Sequence, residues 1–471
     1  MISLKNVSFS YEIEKERKVL SDIDLEIDSG EVVLLCGESG CGKTTLSRLI
    51  NGLIPHYYEG VMEGEVVVDK KNIKDTQLYD LSSTVGSVFQ NPRSQFFSVD
   101  TTSELVFGCE NQSMPKEEIL DRMERVVKEF SMENLMGRSI FHLSGGEKQK
   151  IACAGVSMLS PNVVVLDEPT SNLDLEGIEM LKEALLRWKE KGKTIVIAEH
   201  RLWFLKKIAD RVIYLKDGRI QERFDATDFF DRPVSFYKDR GLRSVKHESP
   251  HVQALSRESE AMVLEDVSYS YSKKKEVLSI PRMELPLGQV TAVVGKNGSG
   301  KSTFVQCMCG LLRQDKSILT LRGMKYNRKK RLNLCYPVMQ DVNHQLFTES
   351  VLDEVLLSME KEDKNEAMKY LKDMDLEAYQ DVHPMALSGG QKQRLAIASA
   401  LASQREILIF DEPTSGLDLK HMEQAANSIS FLKKKGKTVI IVTHDTEFIA
   451  RCCDACIRIE NGHLEGEYGY K

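Results

Sequence analysis

The chain has 471 residues, of which 41% are hydrophobic and 29% charged, and this ordinary balance excludes a wholly disordered protein. Lys and Arg number 64 against 71 Asp and Glu, and the resulting net charge of −7 counts against a nucleic-acid binder, which usually carries a basic face. Apolar runs such as EVVLLC and TVIIV are far shorter than the roughly 20 residues of a membrane helix, and the start MISLKNVSFSY has no apolar signal core, so we expect neither a membrane-spanning nor a secreted protein.

An internal repeat determines the domain organisation. Five motifs occur twice in the same order: VSFSY (7–11) and VSYSY (267–271), GESGCGKTT (37–45) and GKNGSGKST (295–303), LSGGEKQK (143–150) and LSGGQKQR (387–394), LDEPTSNLD (166–174) and FDEPTSGLD (410–418), EHR (199–201) and THD (443–445). The offset between copies falls from 260 residues at the first motif to 244 at the last three. We infer a duplicated domain, with copies at 1–225 and 262–471, joined by a polar linker at 226–261 that contains two prolines.

Each copy begins its chemistry with a glycine-rich loop of the form G-x-x-x-x-G-K-[ST]. In the first copy, Val32–Cys36 is predicted to be a buried strand, Gly37–Lys43 a loop, and Thr44 the start of a helix. Such a loop turns backbone N–H groups toward a phosphate at a helix N-terminus. The predicted phosphate-binding residues are Gly37, Glu38, Ser39, Gly40, Cys41, Gly42, Lys43, Thr44, Thr45, Gly295, Lys296, Asn297, Gly298, Ser299, Gly300, Lys301, Ser302 and Thr303. Within this set, Lys43 and Lys301 reach the β/γ-phosphates, and Thr44 and Ser302 are Mg²⁺ ligands.

Two adjacent carboxylates follow a second buried strand in each copy. NVVVLDEP (162–169) and EILIFDEP (406–413) place Asp167 and Asp411 at the strand ends, where they suit Mg²⁺ coordination through a water. Glu168 and Glu412, one residue further on, can face the attacking water. The alternative, a pair of solvated acids at a strand end, is disfavoured downstream of a phosphate loop.

The LSGG motif predicts a second anion-binding helix N-terminus in each copy, formed by Ser144, Gly145 and Gly146 or by Ser388, Gly389 and Gly390. Because each copy already has its own phosphate loop, the second N-terminus is expected to serve a nucleotide held by the other copy. The sequence therefore predicts two nucleotides between paired copies.

The order of phosphate loop, Gln, LSGGQ, hydrophobic-DEP, LD and His resembles that of the ATP-binding cassette (ABC) ATPases, twice and over nearly the whole chain. The resemblance implies an α/β fold in which two P-loop ABC domains each have a RecA-like core, an antiparallel β subdomain and a helical signature subdomain. It also implies ATP hydrolysis with Mg²⁺.

Further roles follow only from this resemblance. Tyr11 and Tyr271 match the aromatic residue that stacks on adenine, although either could be a core aromatic. Gln90 and Gln340 match the glutamine that contacts Mg²⁺ and the water. His200 and His444 match the histidine at the γ-phosphate, and Asp174 and Asp418 match the aspartate that links the two sites. The first copy departs from the pattern with EKQK for QKQR and EHR for THD, which raises the question of equal turnover.

The resemblance narrows further toward the energy-coupling factor branch, also called cobalt-type ATP-binding proteins, which energises vitamin and metal uptake. This resemblance lies in QNPRSQFFSVDTTSELVFG (90–108), QDVNHQLFTESVLDEVLLS (340–358), NGLIPHYYEGVMEGEVVVD (51–69) and AEHRLWFL (198–205). Phe96, Phe97, Leu346 and Phe347 are then expected to border grooves for the helices of a membrane subunit, unless they pack locally in the core. The expected partners are a transmembrane coupling subunit and a membrane-embedded substrate-binding subunit, with the chain at the cytoplasmic face of the membrane. The alternative is a tandem ABC ATPase acting in translation or on nucleic acid.

The ten cysteines are interpreted as free thiols in a reducing compartment, because their spacing lacks the paired C-x₂-C sets of zinc sites. Cys41 stands in the phosphate loop where the second copy has Ser299. It is either a silent small residue or a reactive thiol.

Overall fold

A computed structural model describes residues 1–14, 16–171, 173–246, 252–254, 260–271, 276–339 and 342–470. The chain divides into two compact units. The first comprises Met1–Lys246 with Gly416–Lys420, and the second His247–Ser415 with His421–Lys471.

The first unit contains two sheets and the helices that cover them. Its strands are β1 (Ile2–Tyr11), β2 (Leu20–Ile27), β3 (Val32–Cys36), β4 (Gly60–Val68), β5 (Lys71–Asn72), β6 (Val85–Val88), β7 (Val163–Asp167), β8 (Thr194–Ala198), β9 (Arg211–Lys216) and β10 (Arg219–Asp225). Its helices are α1 (Lys43–Ile50), α2 (Leu53–His56), α3 (Leu78–Ser82), α4 (Thr101–Asn111), α5 (Lys116–Glu129), α6 (Gly145–Leu159), α7 (Leu175–Glu190), α8 (Ala226–Phe230) and α9 (Val234–Asp239).

The six-stranded sheet, in the order β10-β9-β3-β8-β7-β6, is parallel except for the edge strand β10. Its strand β3 is buried along its whole length because both faces of the sheet are covered. Val32, Leu34 and Cys36 join a core shared with the helices, whereas Val33 and Leu35 join the core under the antiparallel sheet. This two-sided burial explains the uninterrupted apolar run VVLLC.

The second sheet of the first unit, β2-β1-β4-β5, is antiparallel, and helices α4, α5 and α6 pack against one another and, through α6, against α7 and β6. The unit therefore has the parallel core, the antiparallel β portion and the helical portion that the resemblance implied.

The second unit repeats this plan. Its strands are β11 (Val252–Ala254), β12 (Ala261–Tyr269), β13 (Leu278–Pro286), β14 (Val290–Val294), β15 (Ile318–Leu321), β16 (Met324–Tyr326), β17 (Cys335–Val338), β18 (Ile407–Asp411), β19 (Thr438–Val442), β20 (Ala455–Glu460) and β21 (His463–Tyr470). Its helices are α10 (Lys301–Met308), α11 (Arg328–Arg331), α12 (Val351–Ser358), α13 (Lys364–Asp373), α14 (Gly389–Ala402), α15 (Leu419–Lys434) and α16 (Thr446–Cys452). The larger sheet, β11-β21-β20-β14-β19-β18-β17, preserves the strand order of the first unit and adds β11 at its edge. The predicted fold class is confirmed in both copies.

Residues 226–246 differ from the predicted linker. They form α8 and α9, and Phe229, Phe230 and Tyr237 are buried in the first unit's core. The Tyr237 hydroxyl donates to the Phe229 carbonyl at 2.5 Å. The first unit consequently extends to Lys246, about 20 residues past the predicted boundary, because a few well-spaced aromatics provide enough apolar area to hold an otherwise polar segment.

Within the part of the chain that the structure describes, no helix has both the length and the apolar character needed to cross a membrane.

Candidate nucleotide sites

The predicted phosphate loop of the first copy connects β3 to α1. The helix begins at Lys43, one residue earlier than predicted, because Gly42 is its N-cap with φ of 105°, a conformation that L side chains rarely adopt. The Lys43 ammonium is buried and donates to the carbonyl oxygens of Gly37 and Glu38, each at 3.0 Å. The lysine is thus held over the mouth of the loop, where it can exchange these neutral acceptors for a phosphate.

The same loop in the second copy has the same construction. Gly300 also has φ of 105° and caps α10. The Lys301 ammonium donates to the carbonyl oxygens of Gly295 and Lys296, at 2.6 and 2.8 Å. Both copies therefore preorganise the lysine through the backbone of the loop itself.

Asp167, at the end of β7, faces the first residues of α1. The Thr44 hydroxyl donates to Asp167 Oδ1 at 3.0 Å, so two hard oxygen donors lie together. Burial, reinforced by the neighbouring charge of Glu168, raises the pKa of Asp167 to about 6. In the second copy, burial likewise raises the pKa of Asp411, opposed by the charge of Lys301. A bound divalent cation would favour the ionised form of such a buried carboxylate, and oxygen ligands of this kind fit Mg²⁺.

The glutamate after each aspartate has an unusual backbone. Glu168 has φ of 44° and Glu412 φ of 46°, in the left-handed region that costs a non-glycine residue about 1–2 kcal/mol. Hydrogen bonds from their N–H groups to Ala198 O and Val442 O, both at 2.8 Å, fix this conformation. The same strain at the same position of both copies is typical of a functional site.

The strained glutamates contact the predicted histidines. His200 Nε2 lies 3.2 Å from Glu168 Oε1, and His444 Nε2 lies 3.5 Å from Glu412 Oε1. In the first copy, Gln90 Nε2 also donates to Glu168 Oε2 at 2.9 Å. The structure thus brings three predicted catalytic residues of the first copy together, whereas Gln340 lies outside the described residues.

The signature motifs begin helices α6 and α14, as predicted. Ser144 and Ser388 are the N-caps, and each forms a capping box with the third helical residue, Glu147 or Gln391. The first copy thus has Glu where the second copy has Gln, and both residues complete the cap. Burial opposes ionisation of Glu147, but hydrogen bonds from Ser144 and the nearby Arg138 cation outweigh it and lower its pKa.

The glycines of these motifs, Gly145, Gly146, Gly389 and Gly390, occupy the first turns of their helices. The capping box uses the N–H of the third helical residue, so the N–H groups of these glycines are not part of it.

Tyr11 and Tyr271 each lie against the helix that follows the phosphate loop. The Tyr11 hydroxyl is 3.1 Å from Thr45 Oγ1, and the Tyr271 hydroxyl is 3.3 Å from Thr303 Oγ1. Tyr271 is 62% exposed, which leaves its ring available for a ligand.

The apolar residues after the glutamine separate into two classes. Phe97 and Phe347 are 75% and 73% exposed, whereas Leu346 is buried and Phe96 packs against the helical core. The expectation that all four border a groove is therefore wrong for Leu346 and Phe96, whose apolar surface is already used in packing. The matched pair Phe97 and Phe347 remains as candidate contact surface.

Sequence reasoning missed a polar contact beside each histidine. The Thr170 hydroxyl donates to Glu199 at 2.7 Å, and the Thr414 hydroxyl donates to Asp445 at 2.9 Å. Burial raises the pKa of Glu199, against hydrogen bonds from Arg201 and Thr170. The repeated DEPT sequence was the available signal, because a threonine retained in both copies needs a partner when it is buried.

All ten cysteines are free thiols, and nine are buried. Cys41 is 5% exposed, and burial raises the pKa of its thiol, against the charge of Lys43. This environment favours the thiol over the reactive thiolate.

Comparison with known proteins identifies the family. The model of the ABC transporter family matches residues 20–171 and 278–415, more than half of the chain. A relative from Treponema denticola, named "Putative ABC transporter ATP-binding protein", is 45% identical over 99% of this chain and 97% of its own length.

Two solved structures are also similar. A chain from the complex of archaeal ribosomal stalk protein aP1 with ribosome recycling factor aABCE1 covers 98% of this chain and 90% of its own, with 21% identity and a TM-score of 0.62, which shows the fold alone. CbiO1 of Clostridium perfringens, part of the ABC transporter complex CbiONQ, covers 50% of this chain and 93% of its own, with 29% identity and a TM-score of 0.45. The chain belongs to the ABC transporter family, as a tandem ATPase that binds and hydrolyses ATP with Mg²⁺.

Proposed function

We propose that this ATPase powers an uptake transporter of the energy-coupling factor type, in which separate membrane subunits carry a vitamin or a metal ion. The observation that carries the proposal is the matched pair of exposed phenylalanines, Phe97 and Phe347, in the segment that follows the predicted glutamine of each copy. A single exposed apolar side chain is ordinary, but the same large apolar residue is exposed at the equivalent position of both copies, and this supports a contact surface. The Treponema relative, named as an ABC transporter ATP-binding protein, supports a role in transport but not a particular type of transporter.

In each proposed site, the phosphate loop and its lysine bind the phosphates of ATP. Lys43 and Lys301 give up their bonds to loop carbonyls and pair with the β- and γ-phosphates. Thr44, Asp167 and Gln90 would hold Mg²⁺ in the first site, and Ser302 and Asp411 would hold it in the second. A Mg²⁺ ion held there would supply neutralising charge to the phosphates.

Glu168 and Glu412 orient the attacking water, and His200 and His444 contact the γ-phosphate. Each glutamate has a left-handed backbone, and its carboxylate lies 3.2 or 3.5 Å from the histidine Nε2, so the two side chains can act together. Catalysis in this scheme is positioning and charge stabilisation, without a covalent intermediate.

The proposed partners are a transmembrane coupling subunit and a membrane-embedded substrate-binding subunit. The substrate-binding subunit selects the transported vitamin or metal ion, so none of the residues assigned above contacts that cargo. The proposed place of the chain is the cytoplasmic face of the membrane, against the helices of the coupling subunit. Phe97 stacks on Phe107 with ring centroids 5.0 Å apart, which fixes its ring for such a contact.

Recovery from membranes tests the proposal. The full chain, expressed with an affinity tag in its source organism, is expected to co-purify from detergent-solubilised membranes with hydrophobic subunits. The double variant Phe97→Asp with Phe347→Asp should lose this association and keep its ATPase activity, whereas Val234→Asp, at an apolar residue that is 61% exposed, should retain both. Recovery only in ribosomal fractions, with association that weakens steeply as salt rises, would instead support the translation or nucleic-acid alternative.

A further inference from the structure

We propose that Glu199 is a positioning residue for hydrolysis in the first copy. It precedes the histidine in sequence, whereas Asp445 follows the histidine of the second copy, and both carboxylates hold the threonine of the DEPT motif. The proposal goes beyond the transport function and rests on the roles proposed above for Glu168 and His200. It assigns a function to the departure of EHR from THD.

Glu199 is 3% exposed and accepts four hydrogen bonds. Its Oε1 accepts from the backbone N–H groups of His200 and Arg201, at 2.7 and 3.0 Å. Its Oε2 accepts from the Thr170 hydroxyl at 2.7 Å and from the Thr170 backbone N–H at 3.3 Å. One buried carboxylate thus joins the histidine to a residue two positions after Glu168.

The second copy makes the equivalent connection from another position. With the offset of 244, Glu199 corresponds to Thr443, Thr170 to Thr414, and Arg201 to Asp445. The Thr414 hydroxyl donates to Asp445 Oδ2 at 2.9 Å, and Asp445 Oδ1 accepts from the N–H of Phe448 in α16. In both copies a buried carboxylate next to the histidine therefore holds the threonine of the DEPT motif.

Side-chain length explains why the exchange is possible. Asp445 is the N-cap of α16, whereas in the first copy a short turn, Trp203–Leu205, follows the histidine and no α-helix begins there. The longer glutamate reaches the threonine from the strand side of the histidine and also receives the two backbone N–H groups that follow it. Arg201 stands at the position equivalent to Asp445, and its guanidinium donates to the carbonyl oxygens of Leu173 and Thr170, at 3.2 and 3.4 Å.

This network holds both partners of the Glu168–His200 pair. Thr170 fixes the turn after Glu168, and the His200 N–H fixes the histidine backbone, while the two side chains lie 3.2 Å apart. Loss of the carboxylate leaves buried donors unpaired and releases both sides of this contact. We therefore expect a loss in turnover rather than in nucleotide binding, because the phosphate loop is a separate segment.

Exchange of the two arrangements tests the proposal in the full-length protein. Glu199→Thr should lower kcat for ATP by about half, the loss expected if one of two independent and equally active sites stops, with KM for MgATP changed less than threefold. Arg201→Asp should also lower kcat, because it places a second carboxylate beside Glu199. The double variant Glu199→Thr with Arg201→Asp rebuilds the THD sequence of the second copy and should recover kcat to at least about 80% of the wild-type value, clearly above both single variants.

The double variant keeps the test decisive even if Glu199→Thr does not fold, which the fluorescence of Trp188 and Trp203 in the first unit would reveal. Recovery in the double variant supports the exchange. A wild-type kcat for Glu199→Thr, or a double variant that is unfolded or no more active than the single variants, overturns it. His200→Ala is measured alongside, because a wild-type kcat in that variant would refute the role of the histidine and not the exchange itself.

Discussion

Asp167 is expected to destabilise the empty first site. The substitution Asp167→Asn removes the charge and keeps an oxygen that can accept the hydrogen bond from the Thr44 hydroxyl. This bond is 3.0 Å long in the wild type. The variant should therefore be more stable than the wild type without nucleotide and metal, and should bind MgATP more weakly.

The magnitude follows from the raised pKa. Burial first, and then the charge of Glu168, move the pKa of Asp167 from 3.8 to about 6. Below pH 3.8 the carboxyl is protonated in both the folded and unfolded states and costs nothing. As the pH rises through about 6 it must ionise in the folded state too, so stability falls over this window by up to roughly 3 kcal/mol, at about 1.4 kcal/mol per pKa unit. The gain from Asp167→Asn should thus be close to its full value at pH 8 and about half that at pH 5.

Urea denaturation followed by tryptophan fluorescence measures this gain. Both tryptophans of the chain, Trp188 and Trp203, belong to the first unit, so their signal reports on the copy that carries Asp167. Samples contain EDTA and no nucleotide, and the midpoint is compared at pH 5 and pH 8. The matched variant Asp411→Asn changes the equivalent residue of the second unit and should leave the tryptophan transition within about 0.5 kcal/mol of the wild type. Equal stability of Asp167→Asn and wild type at pH 8 would refute the reasoning.

Three further changes test other parts of the account. Gly42→Ala should destabilise the first unit by at least about 2 kcal/mol in the same urea assay, because φ is 105° and the added Cβ meets a leucine of β2. Gly40→Ala, with φ of 77° and open space around the Cβ, should cost about half as much, and equal losses would contradict the packing argument. Asp315→Asn should destabilise the second unit by about 3–5 kcal/mol, measured by hydrogen exchange, because it leaves the fully buried Arg331 cation unpaired; unchanged protection of that region would contradict this. Tyr11→Ala should weaken ATP binding about 10-fold or more in equilibrium titration while Tyr11→Phe retains it, and similar affinities for both would argue against stacking.

The parts of the fold that the sequence predicted are those with a strong local signal. The strand Val32–Cys36 was placed correctly because five consecutive apolar residues followed by glycine and lysine have few other solutions. The repeat then transferred each assignment to the second copy, and the pairs Glu168–His200 and Glu412–His444 met because the carboxyl ends of neighbouring parallel strands share one edge of a sheet.

The features that sequence reasoning missed depend on side-chain direction and long-range packing. Phe96 and Phe97 are neighbours with the same hydrophobicity, but only the second is exposed, and no periodicity in that segment distinguishes them. Sequence alignment of the two copies places Glu199 opposite Thr443, so Glu199 looked like the loss of the threonine of the THD motif. Only the spatial arrangement shows that its longer side chain reaches the same partner as Asp445.

Steady-state hydrolysis and ATP binding by the double variant Glu168→Gln with Glu412→Gln test the central claim most directly. The amides keep the shape of the side chains and remove the carboxylates that we propose orient the attacking water. We predict that turnover falls at least about 100-fold, while the Kd for MgATP stays within threefold of the wild type. Substantial turnover in this variant would contradict the claim that each copy builds its hydrolytic site on the glutamate at the end of its DEP strand.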